Sequence, residues 1–184
     1  MSAFSSLRLI FTSNHGSSAV CADGFVLRNQ YGAQIPWEDL NPEVSDTGGW
    51  SSFPWTFDTG NNIRNDVSGQ YCSERASFVD GSATPEEIVT FEFQDPITFV
   101  SFDLQQSDEM GFNPKNWVLE GLVSSGSWTT LYEAVDFDFD SEGEIRTFNI
   151  ASNNDGYCDI HTVSCRDSKL FNWWFNKGIK CIHK

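Results

Sequence analysis

One stretch limits what this chain can fold into more than any other. Residues 114–131 read Pro-Lys-Asn-Trp-Val-Leu-Glu-Gly-Leu-Val-Ser-Ser-Gly-Ser-Trp-Thr-Thr-Leu. Trp117, Leu119 and Gly121 alternate with Val118, Glu120 and Leu122. Successive strand side chains point to opposite faces, so an apolar run of this length bounded by turn residues predicts a strand with a buried face. Ser124-Ser-Gly-Ser127 predicts a tight turn, because small residues and a glycine accept positive φ. Trp128, Thr130 and Tyr132 then alternate along a second strand. The unit is a β-hairpin with a tryptophan near each end.

The rest of the chain repeats this texture. Strands are predicted at 7–12, 19–27, 33–37, 71–79, 88–93, 98–104 and 145–150, with Asp95-Pro96 separating the fifth from the sixth. In 133–140, Val135, Phe137 and Phe139 alternate with Asp136, Asp138 and Asp140, which predicts an apolar-in, acidic-out strand. Long helices are not expected, because Leu, Ala and Lys are sparse while aromatics make up 15% of the chain. Many short strands at this spacing predict an all-β antiparallel sandwich of jelly-roll type. With 184 residues the chain suits one domain with a sizeable core. Two segments interrupt the pattern. Residues 41–69 and 105–113 carry little periodicity, and loops as long as the first are usually functional.

Charge narrows the partners. The formal net charge is −15, the same sign as nucleic acid and anionic membranes, so both are excluded as expected partners. The charge is uneven: residues 1–155 hold 6 basic and 24 acidic side chains, residues 156–184 hold 5 and 2. The expected organisation is therefore a sandwich over 1–152 and an atypical basic, aromatic tail over 153–184. The tail contains Leu-Phe-Asn-Trp-Trp-Phe at 170–175. A short helix docked on the sandwich, a membrane-interface or partner-binding tail, and a shifted reading frame are three readings of it. No apolar run approaches the roughly 20 residues of a membrane span, and Leu7–Phe11 is too short for the core of a secretory signal. The five cysteines, Cys21, Cys72, Cys158, Cys165 and Cys181, are odd in number and form no Cys-x-x-Cys pair. Small buried thiols are expected ahead of a single disulfide, and no zinc site is expected.

At the hairpin the sequence resembles a family. Pro114-x-x-Trp117-x-Leu119-x-Gly121, a short Gly/Ser turn and then Trp128-Thr-x-Leu131 are similar to the galactose-binding-like β-sandwich, also called the discoidin or coagulation-factor C-type fold. Carbohydrate-binding modules of that fold carry a similar hairpin, with Asp-Gly where this chain has Ser125-Gly126. The stretches 7–18, 22–28 with 31–35, and 88–104 support the likeness, which spans about residues 7–150. The closing strand of the family, with its Tyr-Arg-aromatic pattern, has no counterpart in Tyr157–Cys165. The resemblance implies a non-catalytic, lectin-like module that binds a glycan or glycoprotein through loops at one end, on a cell or particle surface. It also implies a structural Ca²⁺ held by loop oxygens, with Asp80 and Asp66 as ligands.

Sugar recognition needs an exposed aromatic platform and planar hydrogen-bonding groups. Trp50, Trp55, Asn62, Arg64 and Asn65 of the long loop supply them, with Asp108, Asn113 and Lys115 of the second loop. Trp37 and Tyr71 flank the long loop. The plainer alternative is that Trp50, Phe53, Trp55 and Phe57 pack as a satellite core. Trp117 and Trp128 are assigned to core and cross-strand packing. Asp136-x-Asp-x-Asp140 opens like an EF-hand loop, but Ser141 stands where glycine is needed and Thr147 where the last glutamate is needed. Catalysis finds no support: no Gly-x-Ser-x-Gly, His-Glu-x-x-His or phosphate loop occurs, and His15, His161 and His183 are scattered. The competing expectation is a structural or assembly module that packs against sister subunits. A third is an accessory domain cut from a larger enzyme.

Overall fold

A computed structural model describes residues 2–47, 63–64, 71–73, 78–79, 81–107, 110–141 and 143–150. They form two antiparallel sheets, as the strand pattern predicts. The first has the order β3 (Glu43–Asp46), β6 (Ser82–Ile97), β1 (Phe4–Asn14), β8 (Pro114–Val123) and β9 (Trp128–Ala134), with β5 (Phe78–Val79) also on β6. The second has the order β10 (Ile145–Asn149), β7 (Ser101–Gln106), β2 (Cys21–Arg28) and β4 (Tyr71–Cys72). The basic tail lies outside the described residues, so its three readings stand as expectations.

The core follows from the two-residue period. Leu7, Leu9 and Phe11 of β1 face inward, beside Val89 and Phe91 of β6 and Trp117 and Leu119 of β8. Phe25 and Leu27, Phe102 and Leu104, and Phe148 meet them from the second sheet. Aromatic rings dominate the contact: Phe25 lies 5.4 Å from Phe91 and Phe102 lies 5.9 Å from Trp117, centroid to centroid. Gly121 is the narrow point of the hairpin. A Cβ there would stand 2.5 Å from Phe4 Cδ1 and 3.0 Å from Leu131 Cδ1. Gly121→Ala is therefore expected to destabilise the fold by about 1–3 kcal/mol, read as a lower urea midpoint, because overpacking forces neighbours off their rotamers.

Several boundaries differ from expectation, each for a local reason. The two strands predicted around Asp95-Pro96 begin as one long β6, which runs through the proline to Ile97. The register moves from Ser6↔Glu92 to Phe4↔Ile97, so the proline sits in a ladder irregularity where its missing N–H costs no bond. The predicted strand 33–37 is a β-bridge, Arg28↔Gln34, followed by the helical turn α1 (Trp37–Leu40). Asn41, at φ 37°, ends that turn by donating its N–H to the Trp37 carbonyl at 2.8 Å. The predicted strand 71–79 is strand at its two ends, in β4 and β5.

The acidic-out strand 133–140 is not formed beyond Ala134. Asp136 takes φ 51°, Val135 is exposed, and Phe137 and Phe139 turn into the core side. Regular pairing with β8 ends at Ala134, and the next amides bond to β8 irregularly: Asp136 N–H donates to Asn116 Oδ1 and Phe137 N–H to the Lys115 carbonyl.

The cysteine expectation is also corrected. Cys21 and Cys72 form a disulfide across the β2–β4 register, where the two residues are direct partners. Cys158, Cys165 and Cys181 lie outside the described residues.

Candidate functional site

Of the sequence-predicted site residues, Arg64, Asn113 and Lys115 are described, and they lie on different elements. Trp50, Trp55, Asn62, Asn65, Asp66, Asp80 and Asp108 lie outside the described residues. Arg64 is half-buried, bridged to Phe25 of β2, with its guanidinium 5.5 Å from the centroid of the Trp37 ring. Asn113 is a correction: it is 2% exposed, and its Oδ1 accepts the Ser107 amide at 3.1 Å. Its amide is a scaffold for the turn before β8. Lys115 is half-buried, and its Nζ lies 3.1 Å from Asp136 Oδ1. Trp37 and Tyr71 are buried, not presented. The Trp37 indole N–H donates to the Phe25 carbonyl at 3.0 Å, which satisfies its polar end inside the core. Trp117 is fully buried, as assigned from the sequence.

The acidic run after β9 does not assemble a metal centre. Asp136 faces Lys115, Asp138 lies 3.7 Å from His15 Nε2, and Asp140 lies 2.6 Å from Arg146 Nη2. Asp136 and Asp140 each have a cationic neighbour, and Asp138 faces the His15 imidazole. Glu144 caps the turn by accepting from the Asp140 and Ser141 amides at 2.5 and 3.3 Å. The hydrogen bond from Arg146 holds the Glu144 carboxyl below its ordinary range, and the two amides act in the same sense. Among the described residues no three His, Cys, Asp or Glu side chains are grouped to hold a metal ion. The ligands expected for a structural Ca²⁺, Asp66 and Asp80, lie outside the described residues, so that expectation stands as made.

A different loop has the geometry of a presentation site. Residues 29–34 connect β2 to the turn before α1. Asn29 organises this loop by itself: its Oδ1 accepts the Tyr31 and Ala33 amides at 2.9 and 3.2 Å. The Asn29 carbonyl accepts the Gly32 amide, and the Ala33 carbonyl accepts the Asn29 amide, both at 2.9 Å. Gly32, at φ 76°, supplies the left-handed residue the turn requires. This arrangement leaves Tyr31 at the tip, 84% exposed, with exposed Gln30 and Gln34 beside it in the chain.

The loop is tied to the sandwich at its base. Arg28 Nη1 donates to the Gly32 carbonyl at 2.9 Å, and Arg28 Nε donates to both Asp103 carboxylate oxygens at 3.0 and 2.9 Å. Asp103 is 2% exposed and also accepts from Thr147 Oγ1 at 2.7 Å. The Asp103 hydrogen bond raises the Arg28 pKa further above its usual value. Strands β2, β7 and β10 are thus joined under the loop by a charge-assisted network. Further along the chain, an open cleft of about 340 Å³ at the start of β3 is lined by Asn41, Pro42, Glu43, Glu92, Phe93 and Gln94.

The loop places an accessible ring on a hydrogen-bonded tip, with planar amides close by in sequence. Tyr31 was readable only as part of a turn, since periodicity registers buried faces. Its one available signal was an aromatic residue placed between Asn29 and Gly32, where a turn has no core to fill. No family model, curated protein or solved structure matches the chain.

Proposed function

We propose that the chain is a non-catalytic carbohydrate-recognition module built on a β-sandwich, in the manner of the galactose-binding-like domains its hairpin resembles. The observation that carries this reading is Tyr31, an almost fully exposed ring on a loop already locked by Asn29 and Arg28. A phenol ring offers a flat apolar face to the C–H face of a pyranose, and neighbouring amides match vicinal hydroxyls in both donor and acceptor roles. Because the loop is ordered before ligand arrives, less conformational entropy is lost on binding. The Cys21–Cys72 disulfide is in keeping with an oxidising compartment, where surface glycans are met. No helix among the described residues is long and apolar enough to cross a membrane.

A glycan array probed with the purified protein tests the proposal, with and without chelator, alongside Tyr31→Ala, Trp50→Ala and Trp55→Ala. Tyr31→Ala is expected to weaken binding at least about tenfold, which corresponds to about 1.4 kcal/mol. Its melting temperature should stay at the wild-type value, because the ring buries little surface. Equal binding by Tyr31→Ala moves the site to the tryptophan loop if either tryptophan variant loses affinity. A folded wild-type protein that binds no glycan overturns the reading.

A further inference from the structure

Where β3 joins the first sheet, the chain builds a cleft that the Tyr31 loop does not line. Its volume is about 340 Å³, and Asn41, Pro42, Glu43, Glu92, Phe93 and Gln94 form its walls. The cleft is open, since Asn41, Glu43, Glu92 and Gln94 are all exposed. The register makes Glu43 and Glu92 direct cross-strand partners, so their side chains stand side by side on one face. Like charges in that position repel and weaken the pair. Neither carboxylate has a cationic partner among the described residues, whereas Glu120 is paired with Arg8, Asp103 with Arg28 and Asp136 with Lys115. Glu92 is also where the pairing of β6 with β3 ends. Beyond it β6 runs on to Ile97, and among the described residues no strand pairs with that edge.

We propose that this cleft receives an arginine side chain from an extended segment of a partner polypeptide. Each wall of the cleft has a counterpart in that side chain. Pro42 and Phe93 are apolar and match its methylene stem. Glu43 and Glu92 accept from its planar guanidinium, whose five N–H donors form charge-assisted pairs with carboxylates. Asn41 and Gln94 offer amide oxygens to the donors that remain. A lysine ammonium matches the charge but not the fork, because its three donors sit on one atom. The unpaired edge of β6 sets the form of the partner's backbone. An extended segment adds to a sheet edge through main-chain hydrogen bonds and places alternate side chains in pockets. A cation between Glu43 and Glu92 also offsets the repulsion that the register builds in. At longer range the net charge of −15 draws a basic segment towards the chain.

Fluorescence anisotropy of the full chain with a labelled synthetic peptide that alternates arginine and valine tests the proposal. Counterparts carry lysine or glutamine in place of arginine. The arginine peptide is expected to bind, the lysine peptide at least about threefold more weakly, and the glutamine peptide not at all. Glu43→Gln and Glu92→Gln should each weaken arginine-peptide binding at least about fivefold. Glu133→Gln removes the same charge from an exposed position on β9 and should leave binding within about twofold. Melting temperatures of Glu43→Gln and Glu92→Gln should hold or rise, because each removes a like-charge pair, so lost binding is not lost folding. A wild type that binds none of the peptides overturns the proposal. Equal losses in Glu43→Gln, Glu92→Gln and Glu133→Gln overturn it too, since they mark attraction by net charge alone. Equal affinity for the arginine and lysine peptides overturns the assignment to arginine. Neither glutamate belongs to the Tyr31 loop, so this proposal and the glycan-binding one fail separately.

Discussion

Replacing Trp117 with alanine will lower the unfolding free energy by about 3–5 kcal/mol, the range for deleting a large buried aromatic side chain. The expected size follows from where the ring sits. Trp117 is fully buried and touches rings from four other parts of the fold. Its centroid lies 5.3 Å from Tyr132 in β9, 5.9 Å from Phe102 in β7 and 5.1 Å from Phe148 in β10. Phe137, from the segment after β9, meets it edge-on at 6.2 Å. The ring therefore joins the two sheets and the descending chain at one point. These neighbours belong to strands fixed in their ladders, so they cannot collapse into the space, and a cavity term adds to the lost transfer energy. Urea denaturation followed by far-ultraviolet circular dichroism measures the effect. A loss below about 1 kcal/mol would show that the site refills and that Trp117 is not the hub its contacts imply.

Breaking the Cys21–Cys72 bond will cost about 4 kcal/mol in the chain-entropy account of cross-links, with measured bonds usually at 2–4 kcal/mol. The two cysteines are 51 residues apart in sequence. In the unfolded state the bond closes that whole span into a loop, and reduction returns its freedom. In the folded state the bond holds β4, which is only two residues long, to β2. Ser73 adds two further ties to Val20: its N–H donates to the Val20 carbonyl at 2.9 Å, and its Oγ accepts the Val20 amide at 3.0 Å. The loop closed by the bond includes Trp37 and Ile63, both in the core. Comparing denaturation midpoints with and without reductant, and for the Cys21→Ala, Cys72→Ala double variant, reads the effect. Identical midpoints would mean that the cross-link does not restrict the unfolded chain.

What could be read from the sequence was what depends on near neighbours. The hairpin 114–134 was legible because its turn chemistry and two-residue alternation act within some twenty residues. The sandwich class was legible because several segments share that alternation, and two half-apolar sheets have no lower-energy arrangement than face to face. The assignment of Trp117 to the core followed from the same pattern. Alternation also misled at 133–140. The pattern there is strand-like, but the Asn116 side chain and the Lys115 carbonyl of β8 take the Asp136 and Phe137 amides, with Asp136 at φ 51°, so the regular ladder stops at Ala134.

The site was harder to read, because exposure is a property of the assembled surface. Asn113 looked like a binding residue and Trp37 a ring flanking the long loop, yet both are buried and internally hydrogen-bonded. Tyr31 entered only as part of the stretch 31–35 that supports the family likeness, yet it is the most exposed of the large hydrophobic side chains described.

The amino-acid order by itself determined most of the segments that become strands, which face of each is apolar, and a formal net charge of −15. Those properties come from local alternation, turn residues and a charge sum. Tertiary structure alone decided that Cys21 lies opposite Cys72, that Arg8 lies opposite Glu120 under Trp128, and that Arg28 anchors the Tyr31 loop through Asp103. Each of these depends on the register between strands distant in sequence. Shifting a strand by a single residue would turn every one of its side chains to the other face.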